Sequence, residues 1–132
     1  MRNAFHTAAQ GPRNLMNLNI HLNDSCVPVI ARNVLITQIV TNKEFSAANP
    51  DDLQYLWDVW YSTQWNDTTA KRFLKDVEQL LAGQWRSNSS VVITADADIS
   101  ILEKTWNYWK DTVSTMNADT FSNIMQQRYK FR

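Results

Sequence analysis

Glycine and cysteine are nearly missing from this chain, which holds two glycines, one cysteine and three prolines in 132 residues. A dinucleotide or methyl-donor cradle wants several glycines just after a strand, and only Gly11 stands where such a loop would begin. The single cysteine, Cys26, closes no internal disulfide, which agrees with a reducing compartment. Charge of one sign is missing too: thirteen basic and thirteen acidic side chains cancel. That balance removes the electrostatic footprint of a nucleic-acid binder or of a protein held on anionic lipid. The longest apolar stretches run to only a few residues, far below the roughly 20 needed to cross a bilayer, and the N-terminus has no signal-peptide core. These absences predict a cytoplasmic protein with no membrane span. His6, His21 and Cys26 are the only imidazole or thiol ligands and share no metal-binding spacing, so no metal site is expected. Two histidines, one in an N-terminal arm and one in an alternating segment, give no readable catalytic triad.

What the chain does have is apolar and aromatic material. Hydrophobic residues make up 44% and charged residues 20%, with six tryptophans, and the length suits one core but not two. Residues 1–17 are polar, carry Gly11-Pro12 and show no sustained period, so they read as a loose arm leading into a single domain over 18–132. Leu18, Ile20 and Leu22 then alternate with polar neighbours up to Asp24, the mark of a half-buried strand over 18–24. Ser25 can cap a helix with Pro28 in its first turn, and Val27, Ile30, Ala31, Val34, Leu35 and Ile39 continue its apolar face to about Val40. A strand, a tight turn and an apolar helix make the first half of a βαβ unit.

Asn49-Pro50-Asp51-Asp52 is a strong helix start, with a cap, a proline at the first helical position and acids at the positive end of the dipole. Leu53, Leu56, Trp57, Trp60 and Tyr61 build an aromatic face beyond it. After a polar break at Asn66, with Asp67 as cap, Ala70, Phe73, Leu74, Val77, Leu80 and Leu81 repeat the pattern up to Gly83, placed for a left-handed C-terminal cap. Val91-Val92-Ile93-Thr94 is a second, shorter strand candidate or an extended lead-in. Asp96 or Asp98 can cap a helix carrying Leu102, Trp106, Trp109 and Val113, and Asn117 to Asp119 can start a fifth with Phe121, Ile124, Met125 and Arg128. The expected fold is therefore a helix-dominated α/β domain with about five helices.

Few residues suggest chemistry. Asp24, at the end of a strand that enters a helix, sits where open α/β sheets bind ligands and can take ribose hydroxyls; as a capping residue type it serves the helix equally well. Arg32 lies off the apolar face of its helix and suits an anion or a surface ion pair. The spacings Trp57/Trp60 and Trp106/Trp109 place two rings close to one face of each helix. Buried, they make a core hub; exposed, they mark a protein-partner site, since tryptophan is enriched among interface hot spots.

The blocks Leu18-Asn19-Ile20-His21-Leu22-Asn23-Asp24, Val29-Ile30-Ala31-Arg32-Asn33-Val34-Leu35 and Tyr55-Leu56-Trp57-Asp58-Val59-Trp60-Tyr61-Ser62 resemble the domain of unknown function 4470 family. That family is the N-terminal domain of dynein axonemal assembly factor three and of proteins with a MYND-type zinc finger, and the likeness runs from about residue 11 to about residue 115. The resemblance implies a Rossmann-type, methyltransferase-like fold, here partial or truncated. Gly11 and Arg13 would belong to the family's glycine-and-arginine segment, and Asp24 to the end of its second strand. An upstream apolar strand, a fuller glycine loop and the zinc finger are not in this sequence. The expectation is a non-enzymatic interaction or scaffold domain with a protein partner and no cofactor. The alternative is an S-adenosylmethionine-binding methyltransferase or its remnant, with Gly11, Arg13 and Asp24 at the cofactor.

Overall fold

The structure is a computed structural model that describes residues 2–10, 19–62 and 64–115. Five helices run in chain order: α1 (Arg2–Gln10), α2 (Val27–Thr41), α3 (Pro50–Trp60), α4 (Asp67–Leu81) and α5 (Asp96–Thr115), with a 3₁₀ turn at Gln84–Ser87 after α4. No strand occurs among the described residues, so the α/β expectation is overturned and the fold is helical. Residues 19–24 carry the alternating pattern yet pair with no strand among the described residues, and Ile20 and Leu22 are each 42% exposed. Alternation creates a face for a sheet but supplies no second strand, and an unpaired ladder gains none of the hydrogen bonds that hold a strand. Val91 to Thr94 is likewise irregular chain, with Val91 and Ile93 turned onto the core and Val92 outward. A Rossmann-like unit is thereby excluded for this part of the chain. The helix expected from Asn117 to Asp119 lies outside the described residues.

Local signals explain where the helices begin and end. Asp24 Oδ1 accepts the Cys26 amide at 2.8 Å, and Cys26, not Ser25, is the N-cap of α2, with Pro28 in the first turn. Asn49 caps α3 through its side chain, which accepts from the Asp51 amide, and Pro50 opens the helix as its spacing predicts. Asn66, one residue before the expected Asp67, caps α4 by accepting the Thr69 amide at 2.8 Å. Gly83 follows α4 at φ 82°, the left-handed conformation that a glycine at this position adopts without a Cβ penalty. α1 forms in the segment expected to be a loose arm, and its Phe5 ring meets Trp60 of α3 edge-on at 5.8 Å.

The core gathers Ala31, Leu35, Ile36 and Ile39 of α2, Phe73, Val77 and Leu80 of α4, and Ile99, Leu102, Trp106 and Val113 of α5. α4 packs most extensively on α5, α5 also packs on α2, and α3 lies against α2 and α4. Trp106 has no exposed surface and donates its Nε1–H to the Ala31 carbonyl at 3.3 Å, which joins α5 to α2. Trp85 in the 3₁₀ turn closes the same core, and Asn88 donates to both Gln38 and Thr41 of α2 at 2.8 Å, fastening the following loop.

Candidate protein-docking surface

α3 turns two of its three acids inward, Asp52 and Asp58, and carries Leu53 and Trp57 outward. Asp52, Tyr55, Asp58 and Val59 are its buried residues, whereas Leu53, Trp57 and Tyr61 are 46%, 59% and 47% exposed. The spacing of these three, four residues apart, sets them in one row along the helix and its C-cap. No charged residue interrupts the row; Pro50 and Gln54 flank it. Trp57 and Tyr61 rings lie 4.9 Å apart, and Tyr61 stacks on half-buried Trp60 at 5.3 Å with planes 8° apart. Phe5 of α1 extends the same aromatic group. The result is a rigid aromatic surface whose rings hold one another in place.

Buried carboxylates fix this orientation. Asp52 pairs with Arg72 of α4 at 2.8 Å and accepts the Ser46 amide at 3.0 Å. The Ser46 hydrogen bond first, and then that to Arg72, holds the Asp52 carboxyl below its usual range. Arg72 lies over the Tyr55 ring at 4.1 Å, and the Tyr55 hydroxyl donates to Asp76 of α4. Burial and the neighbouring Asp76 push the Tyr55 phenol far up, so it stays a neutral donor, and burial also pushes Asp76 up. One helical turn on, Asp58 accepts from Gln54 and from the Thr69 hydroxyl, both at 2.9 Å, while its carbonyl accepts the Trp65 indole N–H at 2.9 Å. Each buried acid thus finds donors on α4 or the connection leading to it, which offsets the cost of burying charge.

The other sequence-selected residues fall elsewhere. Trp57 belongs to the outward face of α3, whereas Trp60 is half-buried and packs against the core. Trp106 belongs to the core, and Trp109 rests against Phe73 at 6.1 Å while lining a cavity of about 420 Å³ with Val27, Ile101, Lys104 and Tyr108. Among the described residues no ring contact joins the two tryptophan pairs. Asp24 is exposed, serves as a hydrogen-bond acceptor at the start of α2 and lines neither this cavity nor a smaller one beside Arg72 and Asp76. Gly11 and Arg13 lie outside the described residues. Sequence reading missed Asp52, Tyr55, Asp58, Thr69, Arg72 and Asp76, because their meaning comes from pairing between α3 and α4. The alternation of acids with aromatics in α3 was the only hint.

The family model described as Domain of unknown function (DUF4470) matches residues 1–65. Over that N-terminal segment the chain is similar to the DUF4470 family, which supports the resemblance carried by its sequence blocks. The match contains α1, α2 and α3, so the outward aromatic row lies within the DUF4470 segment, while α4, which packs against α3, and α5 lie beyond it. It ends well short of residue 115. No curated protein and no solved structure matches the chain. The DUF4470 description assigns no reaction. Among the described residues no helix is long and apolar enough to cross a membrane, and no group of three or more His, Cys, Asp or Glu is placed to hold a metal ion.

Proposed function

We propose that this chain is a protein-interaction or scaffold domain without catalytic chemistry of its own, and that it contacts its protein partner through the outward face of α3. The observation that carries this reading is the exposure of Trp57, Tyr61 and Leu53 in one charge-free row. Isolated exposed apolar side chains are ordinary, but a contiguous aromatic row is what interfaces bury. Tryptophan and tyrosine in such a row supply large contact area with few rotatable bonds to immobilise. The buried acids beneath support the reading, because they hold the row outward with α3 in a fixed orientation.

Affinity capture with Trp57→Ser/Tyr61→Ser, compared with the unaltered chain and with Val92→Ser as an exposed control on another surface, tests the proposal. The expected outcome is that captured proteins are lost with the α3 variant and kept with the control. Equal capture by all three sinks it. Calorimetric titration with S-adenosylmethionine addresses the methyl-donor reading: micromolar binding abolished by Asp24→Ala would replace the interaction reading with that one.

A further inference from the structure

Residues 19–24 belong to no helix, and the backbone of residues 19–23 donates and accepts no hydrogen bond among the described residues. Such a segment is a template for pairing with another chain. Its order names the partner. Asn19-Ile20-His21-Leu22-Asn23 has the same sequence of side-chain types in both directions: amide, apolar, imidazole, apolar, amide. Laid antiparallel on a second copy about His21, the segment puts Ile20 opposite Leu22 of the second copy, and Leu22 opposite its Ile20, on one face. The other face then brings together His21 with His21 and Asn19 with Asn23. This is the self-complementarity that a two-fold interface requires.

Electrostatics agree with a second copy as occupant. No acidic or basic side chain other than the imidazole lies between Asn19 and Asn23, and in this register the two Asp24 carboxylates stand about 20 Å apart, at opposite ends of the pair. We propose that two copies of this chain associate by antiparallel backbone pairing of residues 19–23 across a two-fold axis at His21. The pairing satisfies backbone groups left open in the single chain and covers the exposed Ile20 and Leu22 of both copies. Five residues make a short pairing, so the association is weak and concentration-dependent. It uses none of the α3 face and stands independently of the partner proposed for it.

Site-directed cross-linking of the full chain in a Cys26→Ser background tests the register. Cys26 makes no side-chain cap bond, so serine is tolerated there. In the proposed pair, two copies of position 21 face each other as a non-hydrogen-bonded pair with Cα atoms about 4.5 Å apart, so that Leu22 donates across the pair, and position 21 is within disulfide reach. Two copies of position 19 lie on the same face but about 13 Å apart, beyond that reach. In a mild redox buffer His21→Cys should give a disulfide-linked dimer at least about tenfold faster than Asn19→Cys. Equal rates, or no dimer from either variant, overturn the proposal. Sedimentation equilibrium of the unaltered chain should show mass rising with concentration and a loss of that rise in Leu22→Pro, which removes a backbone donor. A constant monomer mass up to millimolar concentration, or a rise that Leu22→Pro leaves unchanged, overturns it as well.

Discussion

Replacing Trp106 and Trp57 separately by alanine asks whether α3 truly turns its aromatic row outward. Trp106 is fully buried and bonded to the Ala31 carbonyl, so Trp106→Ala removes a whole core side chain and costs about 3–5 kcal/mol. The lost indole bond adds little, since the Ala31 carbonyl keeps its own acceptor role within α2. Against a total stability of about 5–15 kcal/mol this is a large fraction. Trp57 is 59% exposed and gives up little besides its contact with Tyr61, so Trp57→Ala costs about 1 kcal/mol or less. Urea unfolding followed by far-ultraviolet circular dichroism avoids reading the signal from the residue replaced. With a slope of about 2 kcal/mol per molar urea, the midpoint falls by roughly 2 M for Trp106→Ala and by about 0.5 M or less for Trp57→Ala. Equal falls would mean that Trp57 is a core residue, and both the orientation of α3 and the interaction proposal would go with it.

Other perturbations address the clamp beneath the row and the ends of the helices. Asp58→Ala leaves the buried Thr69 hydroxyl without its acceptor and costs about 2–3 kcal/mol, whereas Thr69→Ala in the same background should add much less than it does alone, a coupling that a double-mutant cycle reads directly. Because burial raises the folded-state pKa of Asp76 above its ordinary value of 3.8, the folded chain holds that proton longer. Its contribution to stability is therefore present below 3.8 and lost as pH rises from there through the raised value; in Asp76→Asn, urea midpoints should decline less over that acidic range. Asp52 has the opposite sign: its lowered folded-state pKa gives stability present above 3.8 and lost as pH falls through the folded value, so Asp52→Asn should flatten the acid limb of the same profile. Gly83→Ala forces a Cβ onto φ 82° while its nearest neighbour, the Arg86 side chain, stands at an ordinary 3.6 Å; backbone strain alone should then cost about 1 kcal/mol in thermal unfolding.

Features set by a few neighbouring residues were legible in the sequence. Asn49-Pro50 opens α3 and Gly83 ends α4 because a cap or a left-handed turn needs only the residues beside it. The same holds for the faces of α4 and α5, where Phe73, Val77 and Leu80, and Leu102, Trp106 and Val113, recur at helical spacing and all meet the core. Strand 18–24 failed for the converse reason: alternation is local, but a strand exists only through a partner elsewhere in the chain. α1 lies in a segment that reads as a loose arm because its apolar residues are mostly alanines, although Ala4, Phe5, Ala8 and Ala9 recur at helical spacing; its Phe5 ring meets Trp60.

The sidedness of α3 was not legible in the sequence, which left its tryptophans open to either burial or exposure. By hydrophobicity alone the helix should bury Leu53 and Trp57 and expose Asp52 and Asp58. Rotating it that way would gain apolar burial, yet it would separate Asp52 from Arg72 and the Ser46 amide, and Asp58 from the Thr69 hydroxyl. It would also take Tyr55 from both Arg72 and Asp76. Part-buried Arg72 and Asp76 would then be left on α4 without their partners, and the buried Thr69 hydroxyl without its acceptor, a cost that opposes the apolar gain. An ionic arrangement spread over α3 and α4 thereby keeps Trp57 and Tyr61 in solvent, the exposure on which the proposed interaction rests.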